Sequence, residues 1–494
     1  MDGQGESQHP RPTSRREFLK TTTTLFGGTA AALMAPQLGR AAESAAEKPN
    51  IVFILADDLG TYDVSWRGSE IKTPNLDALA RSGARFEQFY AQPLCSPTRA
   101  ALMTGRYPMR HGLQTDVVRP WAQYGLPLDE RTLAQALHEA GYETAICGKW
   151  HLGLFRREYL PTQRGFDHQY GHYNGALDYF THVRDGGLDW HRDDKVCRDE
   201  GYTTHLIARE AVRLIRERDR KKPLFLYVAF NAVHAPHQVP EDYKKPYPTL
   251  PEPHQTYAGM LAAMDEAVGQ IVAAVDAQGL RKNTLFVFCS DNGGPAPGRV
   301  TNNGPLRAAK ATLYEGGVRV VGCAAWEGRL KPGLVVNEPF HIVDWYPTIL
   351  KLAGASLDQP LPLDGRDVWP TIAEGAPSPH EEILINAAPR NGAIRVGNWK
   401  LILNGEVSLD EGGAAPKPKK AGKKAAAKAG PSAPVELFDL AADPGEKTNL
   451  AEQNPEVVKT LRARYDALAR QAVPPKSKPQ PADYKAPAVW GESD

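Results

Sequence analysis

The chain carries almost no excess of charge. Its 494 residues hold 59 Lys and Arg against 58 Asp and Glu, a net +1. That balance leaves no global basicity to hold a nucleic-acid backbone. Cysteine is scarce and odd in number, five residues in all. Such a count excludes a dense disulfide framework, so stability must come from a core. After the N-terminal segment no stretch reaches the roughly 18 uninterrupted apolar residues that a membrane-spanning helix needs. Internal repeats are missing too. What is present is apolar material, 41% of residues. In a chain this long that is ample for one large core and a smaller second domain.

Residues 1–45 read as a targeting segment rather than as fold. Ser14-Arg15-Arg16-Glu17-Phe18-Leu19-Lys20 matches a twin-arginine export signal, and a weakly apolar stretch leads from Thr21 to small residues near Ala41-Ala42. The expected partner is a twin-arginine translocase, with a periplasmic or extracellular destination and no stable membrane insertion. That route carries folded proteins, so a side chain could be modified in the cytoplasm before export.

From Asn50 onward, apolar runs alternate with helical patterns. This predicts an α/β fold with a mostly parallel sheet covered on both faces. Strands are expected at 51–55, 144–147, 224–230 and 284–290. Helices are expected at 74–82, 132–140 and 257–278. The texture changes after about 378. Short strands at 383–385, 393–396, 399–403 and 436–440, then a helix over 455–471, predict a small antiparallel sheet with one helix. The domains are therefore read as 46–378 and 379–474. Within the second, residues 412–434 are rich in Lys, Ala, Pro and Gly and cannot bury a core. They are read as a solvated insertion or a tether for polyanionic glycan. Residues 475–494 are read as a disordered tail.

Cys95 stands at the start of a helical pattern, in Leu94-Cys95-Ser96-Pro97-Thr98-Arg99-Ala100-Ala101-Leu102-Met103-Thr104-Gly105-Arg106. Pro97 suits the first helical turn, where its missing N–H costs nothing. The thiol then lies near unpaired backbone N–H groups and one turn from the Arg99 guanidinium. That is a place for a nucleophile acting on an anion, although a plain core cysteine fits the local pattern equally. Cys147 and Cys289 sit in apolar runs and read as core.

In open α/β sheets, ligands bind beyond the carboxyl ends of strands. Four predicted strands end in chemically capable residues. They lead into Asp57-Asp58, into Asp291-Asn292-Gly293-Gly294, into Lys149 and His151, and into Asn231 and His234. Asp57, Asp58, Asp291 and Asn292 offer only oxygen, which suits a hard cation, Ca²⁺ or Mg²⁺, rather than zinc. Arg99, Lys149, His151 and His234 supply positive charge. Lys310 by itself reads as a surface lysine. Glu315 and Arg319 read as a structural pair. The loops 119–121 and 178–182 are expected on the substrate side.

These residues carry a resemblance. Cys95-x-Pro97-x-Arg99 followed by Thr104-Gly105-Arg106 resembles the signature of the type I sulfatases. The likeness runs from about Asn50 to about Leu450 and includes Leu160-Pro161-Thr162-Gln163-Arg164-Gly165-Phe166-Asp167 and Tyr257-Ala258-Gly259-Met260. It lies nearest the N-acetylgalactosamine-4-sulfatase branch. Thr98 stands where the family usually has Ser. The resemblance implies an alkaline-phosphatase-like fold and hydrolysis of sulfated carbohydrates. It implies that a maturase converts Cys95 to formylglycine. It implies Ca²⁺ before Mg²⁺, held by Asp57, Asp58, Asp291, Asn292 and the modified Cys95. It also moves Lys310 into the catalytic set with Arg99, Lys149, His151 and His234. In the implied chemistry His234, with Lys310, protonates the leaving oxygen, His151 accepts a proton from the nucleophile's second hydroxyl, and Lys149 orients it. The rival readings are a phosphonate or phosphate ester hydrolase of the same superfamily and a non-catalytic binder of sulfated glycan.

Overall fold

The computed structural model describes residues 48–406 and 435–492. The twin-arginine motif and the Lys-rich segment 412–434 lie outside the described residues. Ten strands form the main sheet. They are β1 (Asn50–Ala56), β2 (Ala84–Phe86), β3 (Glu143–Lys149), β4 (His168–His172), β5 (His191–Arg192), β6 (Lys195–Val196), β7 (Leu224–Ala229), β8 (Thr284–Ser290), β9 (Gly322–Ala325) and β10 (Leu334–Val336). Their spatial order is β10-β2-β9-β8-β1-β7-β3-β4-β5-β6. The middle, β8-β1-β7-β3-β4, is parallel throughout, and antiparallel pairs occur toward both edges.

The central strands read as continuous apolar runs because both of their faces are buried. Along β1, Ile51, Phe53 and Leu55 join one apolar cluster, while Val52, Ile54 and Ala56 join the other. The first face is covered by α2 (Cys95–Thr104), α3 (Leu133–Glu139) and α6 (Trp345–Leu352). The second is covered by α1 (Pro74–Arg81), α4 (Thr203–Glu217) and α5 (His254–Ala277). Phe53 meets Tyr227 and Trp345 edge-on at 6.2 and 6.1 Å, so trimming it to Ala would cost about 3–5 kcal/mol. The α3 N-terminus is fixed by a capping box between Thr132 and Gln135. α5 has the length and apolar content to cross a bilayer, yet 67% of its most apolar window is buried inside the fold.

The four strands whose ends drew attention in the sequence are β8, β1, β7 and β3, which are adjacent in that order. They run parallel, so their carboxyl ends open on one edge. The expected strands and helices agree with the structure to within a few residues at each end.

A second sheet follows, β11 (Glu382–Ala388), β12 (Asn391–Val396), β13 (Trp399–Leu403) and β14 (Val435–Asp439), antiparallel in chain order. The helix α7 (Pro455–Ala469) buries Leu461 and Tyr465 against one face with Leu384, Ile394 and Leu401. From the other face Ile383, Ile385, Ile402 and Phe438 pack with Tyr90, Leu94 and Cys95. The small sheet thus supports the start of α2. Buried charge bolts the same contact: Lys400 Nζ lies 2.8 Å from Glu315 and 2.9 Å from Glu446. Arg319 is a looser partner of Glu315 at 3.5 Å.

The C-terminal segment differs from expectation. Residues 475–492 are not a disordered tail but a strap laid along the catalytic body. Lys476 N–H donates to Gly112 O at 2.8 Å, and Leu188 N–H donates to Ala488 O at 2.9 Å. Trp490 is buried, its indole N–H donating to Arg184 O at 2.8 Å. The segment is polar and Pro-rich, and its order comes from partners hundreds of residues away.

Candidate active site

The helix α2 begins at Cys95 itself, with Pro97 in its first turn. Two hydroxyls anchor that turn. Ser96 Oγ donates to His151 O at 2.8 Å and accepts from Val118 N–H at 2.9 Å. Thr98 Oγ1 donates to Asp291 O at 2.5 Å and accepts from Gln92 N–H at 3.0 Å. Thr98 therefore performs the hydrogen bonding that a serine would, and its methyl group is accommodated in full burial. The departure at this position is a chemical equivalent.

Around the turn lie the strand ends. Ligand atoms of Asp57, Asp58, Cys95 and His234 all fall within 4.8 Å of one another. Cys95 Sγ donates to Asp57 Oδ1 at 3.4 Å. Asp291 sits beside this group, where Arg99 Nη2 reaches its Oδ2 at 2.9 Å and Asp58 N–H donates to its Oδ1 at 3.2 Å. Asn292 Nδ2 donates to Asp58 Oδ1 at 2.7 Å, while its Oδ1 is buried with no partner among the described residues. His234 was expected only at the leaving group, and the structure also brings it against the acidic cluster, Nε2 being 3.6 Å from Asp58. Asp58 and His151 both hold left-handed backbone, φ 64° and 59°. Such conformations in non-glycine residues store strain and collect at functional sites.

Cations interleave with the acids. Lys149 Nζ lies 2.5 Å from Asp57 Oδ2, and Arg99 Nη2 lies 3.4 Å from the same oxygen. Lys310 Nζ lies 3.1 Å from Asp58 Oδ2 and 3.2 Å from His234 Nε2. Burial opposes ionisation of Asp57, but Lys149, His234 and Arg99 more than offset it and hold its carboxyl below the usual range. Asp291 is moved the other way, upward, by burial and by Asp57. Crowded carboxylates with one pushed up are the arrangement that a cation relieves.

Burial, with Asp291 and Asp57, pushes the Cys95 thiol well above its ordinary value. Burial and acidic neighbours thus disfavour the thiolate, the nucleophilic form of an unaltered cysteine. Burial also drives His151 well below the usual imidazole range, helped by Lys149, Arg99, His234 and Lys310. Its ring is neutral, and Nδ1 has no partner among the described residues.

A pocket of about 300 Å³ opens over this floor, lined by Cys95, His151, His234 and Lys310 together with Arg119 and Arg184. All the expected catalytic residues thus converge. Of the two loops expected on the substrate side, Arg119 and Pro120 line the pocket, but none of 178–182 does. Tyr179 is instead buried beneath, its hydroxyl donating to Asn231 O or His234 O at 2.6 and 2.7 Å. It props the His234 loop. Arg184 and Gly175 were not legible in the sequence. A Cβ on Gly175 would stand 2.4 Å from His151 Cε1. That glycine makes room for the imidazole.

The donor set suits a hard cation. Three buried carboxylates, Asp57, Asp58 and Asp291, and the Asn292 Oδ1, which has no partner among the described residues, offer the oxygen ligands expected for Ca²⁺ or Mg²⁺.

Comparison with known proteins agrees with the chemistry. The Sulfatase family model matches residues 49–355. Arylsulfatase J of Mus musculus is 37% identical over 92% of this chain and 81% of its own length. N-acetylgalactosamine-6-sulfatase of Mus musculus is 35% identical over 69% of this chain and 70% of its own. Among solved structures, Ps i-CgsB in complex with k-i-k-neocarrahexaose superposes with a TM-score of 0.76, at 32% identity, covering 87% of this chain and 94% of that one. Anion-binding cations, an acidic oxygen cluster and a cysteine at a helix mouth, set on this fold and matched over this span, make the chain a member of the sulfatase family, an enzyme that hydrolyses sulfate esters.

Proposed function

We propose that the chain is an exported, divalent-metal sulfatase acting on sulfated carbohydrates, with Cys95 in its formylglycine form. The observation that carries this reading is the convergence of Asp57, Asp58, Cys95 and His234 within 4.8 Å, ringed by Arg99, Lys149, His151 and Lys310. Formylglycine supplies what the protonated thiol lacks. As its hydrate it offers one hydroxyl to attack sulfur and a second whose deprotonation expels the sulfate. Asp57, Asp58, Asp291, Asn292 and the modified residue 95 would hold a Ca²⁺, which when bound would supply positive charge for the sulfate oxygens and the nucleophile.

The remaining work belongs to the side chains. Arg99 holds Asp57 and Asp291 apart by bridging them. Lys149 keeps Asp57, the partner of residue 95, ionised. Lys310 and His234 are mutually within hydrogen-bond reach and face the pocket, placing a proton where the leaving oxygen departs. His151, neutral and unpartnered at Nδ1, accepts the proton from the second hydroxyl. Each fixed donor to developing charge is worth about 10²–10³ in rate. The neocarrahexaose in the neighbour's complex supports a carbohydrate substrate. The N-acetylgalactosamine-6-sulfatase relative also supports a sulfated sugar as substrate.

The test is turnover of 4-nitrophenyl sulfate by protein produced with a formylglycine-generating maturase, set against the phosphate and phosphonate analogues. Peptide mass spectrometry should show formylglycine at position 95. Full activity with unmodified thiol, or preference for the phosphonate, would overturn the reading. Export through the twin-arginine translocase is tested separately: Arg15→Lys with Arg16→Lys should leave the protein in the cytoplasm.

A further inference from the structure

Beside the catalytic pocket lies a second cleft of about 610 Å³, and one of its walls is the C-terminal strap. The two spaces adjoin. Pro120 lines both, and Arg119, which lines the catalytic pocket, lies 5.9 Å from the Trp121 ring that lines the cleft. On the far side, Arg184 lines the catalytic pocket while its carbonyl holds the indole of Trp490, a cleft residue. The cleft is built, not loose. Trp121 Nε1 donates to Lys478 O at 3.1 Å, and Trp121 meets Tyr484 edge-on at 5.9 Å. Phe155 completes the wall at 46% exposure, an unusual place to leave a phenyl ring facing water. Among these apolar faces stand Arg156 and Asp483, and the Tyr484 hydroxyl has no partner among the described residues.

Aromatic faces with a few polar groups between them suit a pyranose ring, whose axial C–H groups form an apolar face and whose hydroxyls need partners. Resting on the sulfatase reading above, we infer that this cleft is a subsite for the sugar next to the sulfated one, so that the enzyme takes oligosaccharides in preference to single sulfated sugars. The strap, with Tyr484, and the loop bearing Phe155 would set that preference. A nitrophenyl ester or a monosaccharide fills the catalytic pocket and does not reach the strap.

Binding by the inactive Cys95→Ala protein tests this directly. The probes are sulfated tetrasaccharides from a sulfated galactan and from chondroitin sulfate, each beside its own sulfated monosaccharide, measured by calorimetry. At least one tetrasaccharide should bind about tenfold or more tightly than its monosaccharide. Tyr484→Ala and Phe155→Ala should each erase most of that difference, and Tyr484→Trp should retain it. In active enzyme the two alanine variants should raise KM for the tetrasaccharide about tenfold and leave nitrophenyl sulfate turnover unchanged. Phe155 is half exposed, so its variant guards against a folding artefact at Tyr484. Equal affinity for tetrasaccharide and monosaccharide throughout the panel would overturn the subsite, as would equal losses on every substrate. The two proposals fail separately. Strap-dependent binding without any sulfate ester hydrolysis would sink the catalytic reading and keep the subsite. Hydrolysis without strap-dependent binding would do the reverse.

Discussion

Replacing Gly175 by Ala adds one methyl group, and the structure says where it goes. The new Cβ would stand 2.4 Å from His151 Cε1, 2.5 Å from Nε2 and 3.1 Å from Nδ1. Ordinary contact begins near 3.5 Å, so the imidazole must retreat by about 1 Å. Its backbone cannot follow, because His151 N–H donates to Tyr173 O at 3.1 Å and its carbonyl accepts from Ser96. Its Nδ1 has no partner among the described residues to hold the ring in place, and the ring swings into the pocket. A misplacement of about 1 Å costs roughly 10² in rate when the group must meet a proton in line. The expected result is a fall in kcat on nitrophenyl sulfate of about 10²-fold. Metal content should be unchanged, and formylglycine conversion should remain complete. A double-mutant cycle isolates the cause. In a His151→Ala background the same Gly175→Ala change should cost less than about threefold, since nothing remains to displace. Near-normal kcat in Gly175→Ala would refute the argument. So would a full 10²-fold loss in the His151→Ala background, which would place the damage elsewhere.

Three further expectations follow from other parts of the site and its supports. Thr98→Ser should be close to neutral, whereas Thr98→Val strands the buried bonds to Asp291 and Gln92; it should lower stability by about 1–3 kcal/mol, read by denaturant titration, and a neutral Val would refute the anchoring role. Asp58→Asn should lower bound divalent metal by elemental analysis and remove the rise in Tm that added Ca²⁺ gives the parent enzyme; at a hundred times Kd that rise corresponds to about 2.7 kcal/mol, and an unchanged metal content would count against the site. His111 is buried, neither ring nitrogen has a partner among the described residues, and burial, with Arg106 and Lys476, pushes its pKa down to about 3. The unfolded chain therefore takes up a proton first as pH falls. The contribution of the neutral imidazole is full above pH 6.5 and is lost toward pH 3 at about 1.4 kcal/mol per pH unit. His111→Phe should flatten the acid limb of the stability curve by that slope, and an unaltered slope would show that other groups control it.

The residues at the site were legible because their signals are local. Apolar runs of strand length, a proline in a first helical turn and polar residues just past strand ends are written within a few positions of one another. Asp57, Asp58, Lys149, His151, His234, Asp291 and Asn292 could be named from that alone. Cys95, Arg99 and Lys310 gained their roles from the resemblance to the sulfatases. Glu315 was readable as a turn carboxylate, but its main partner, Lys400, was not, because 85 residues and a sheet boundary separate them.

By itself, then, the sequence determined which strands form, where α2 begins and which chemistry the strand ends offer, since those are matters of periodicity and neighbouring residue types. Only the tertiary structure decided that β8, β1, β7 and β3 lie side by side and open on one edge, bringing residues from 57 to 310 around one point. It alone gave Gly175 its duty, turned Tyr179 inward beneath His234, and ordered residues 475–492. The strap shows the reason most plainly. Its own residues lack the periodic apolar pattern that fixes a helix or strand. What holds it is a buried indole donating to Arg184 O and backbone hydrogen bonds with Gly112 and Leu188, and those partners exist only once the rest of the chain has folded.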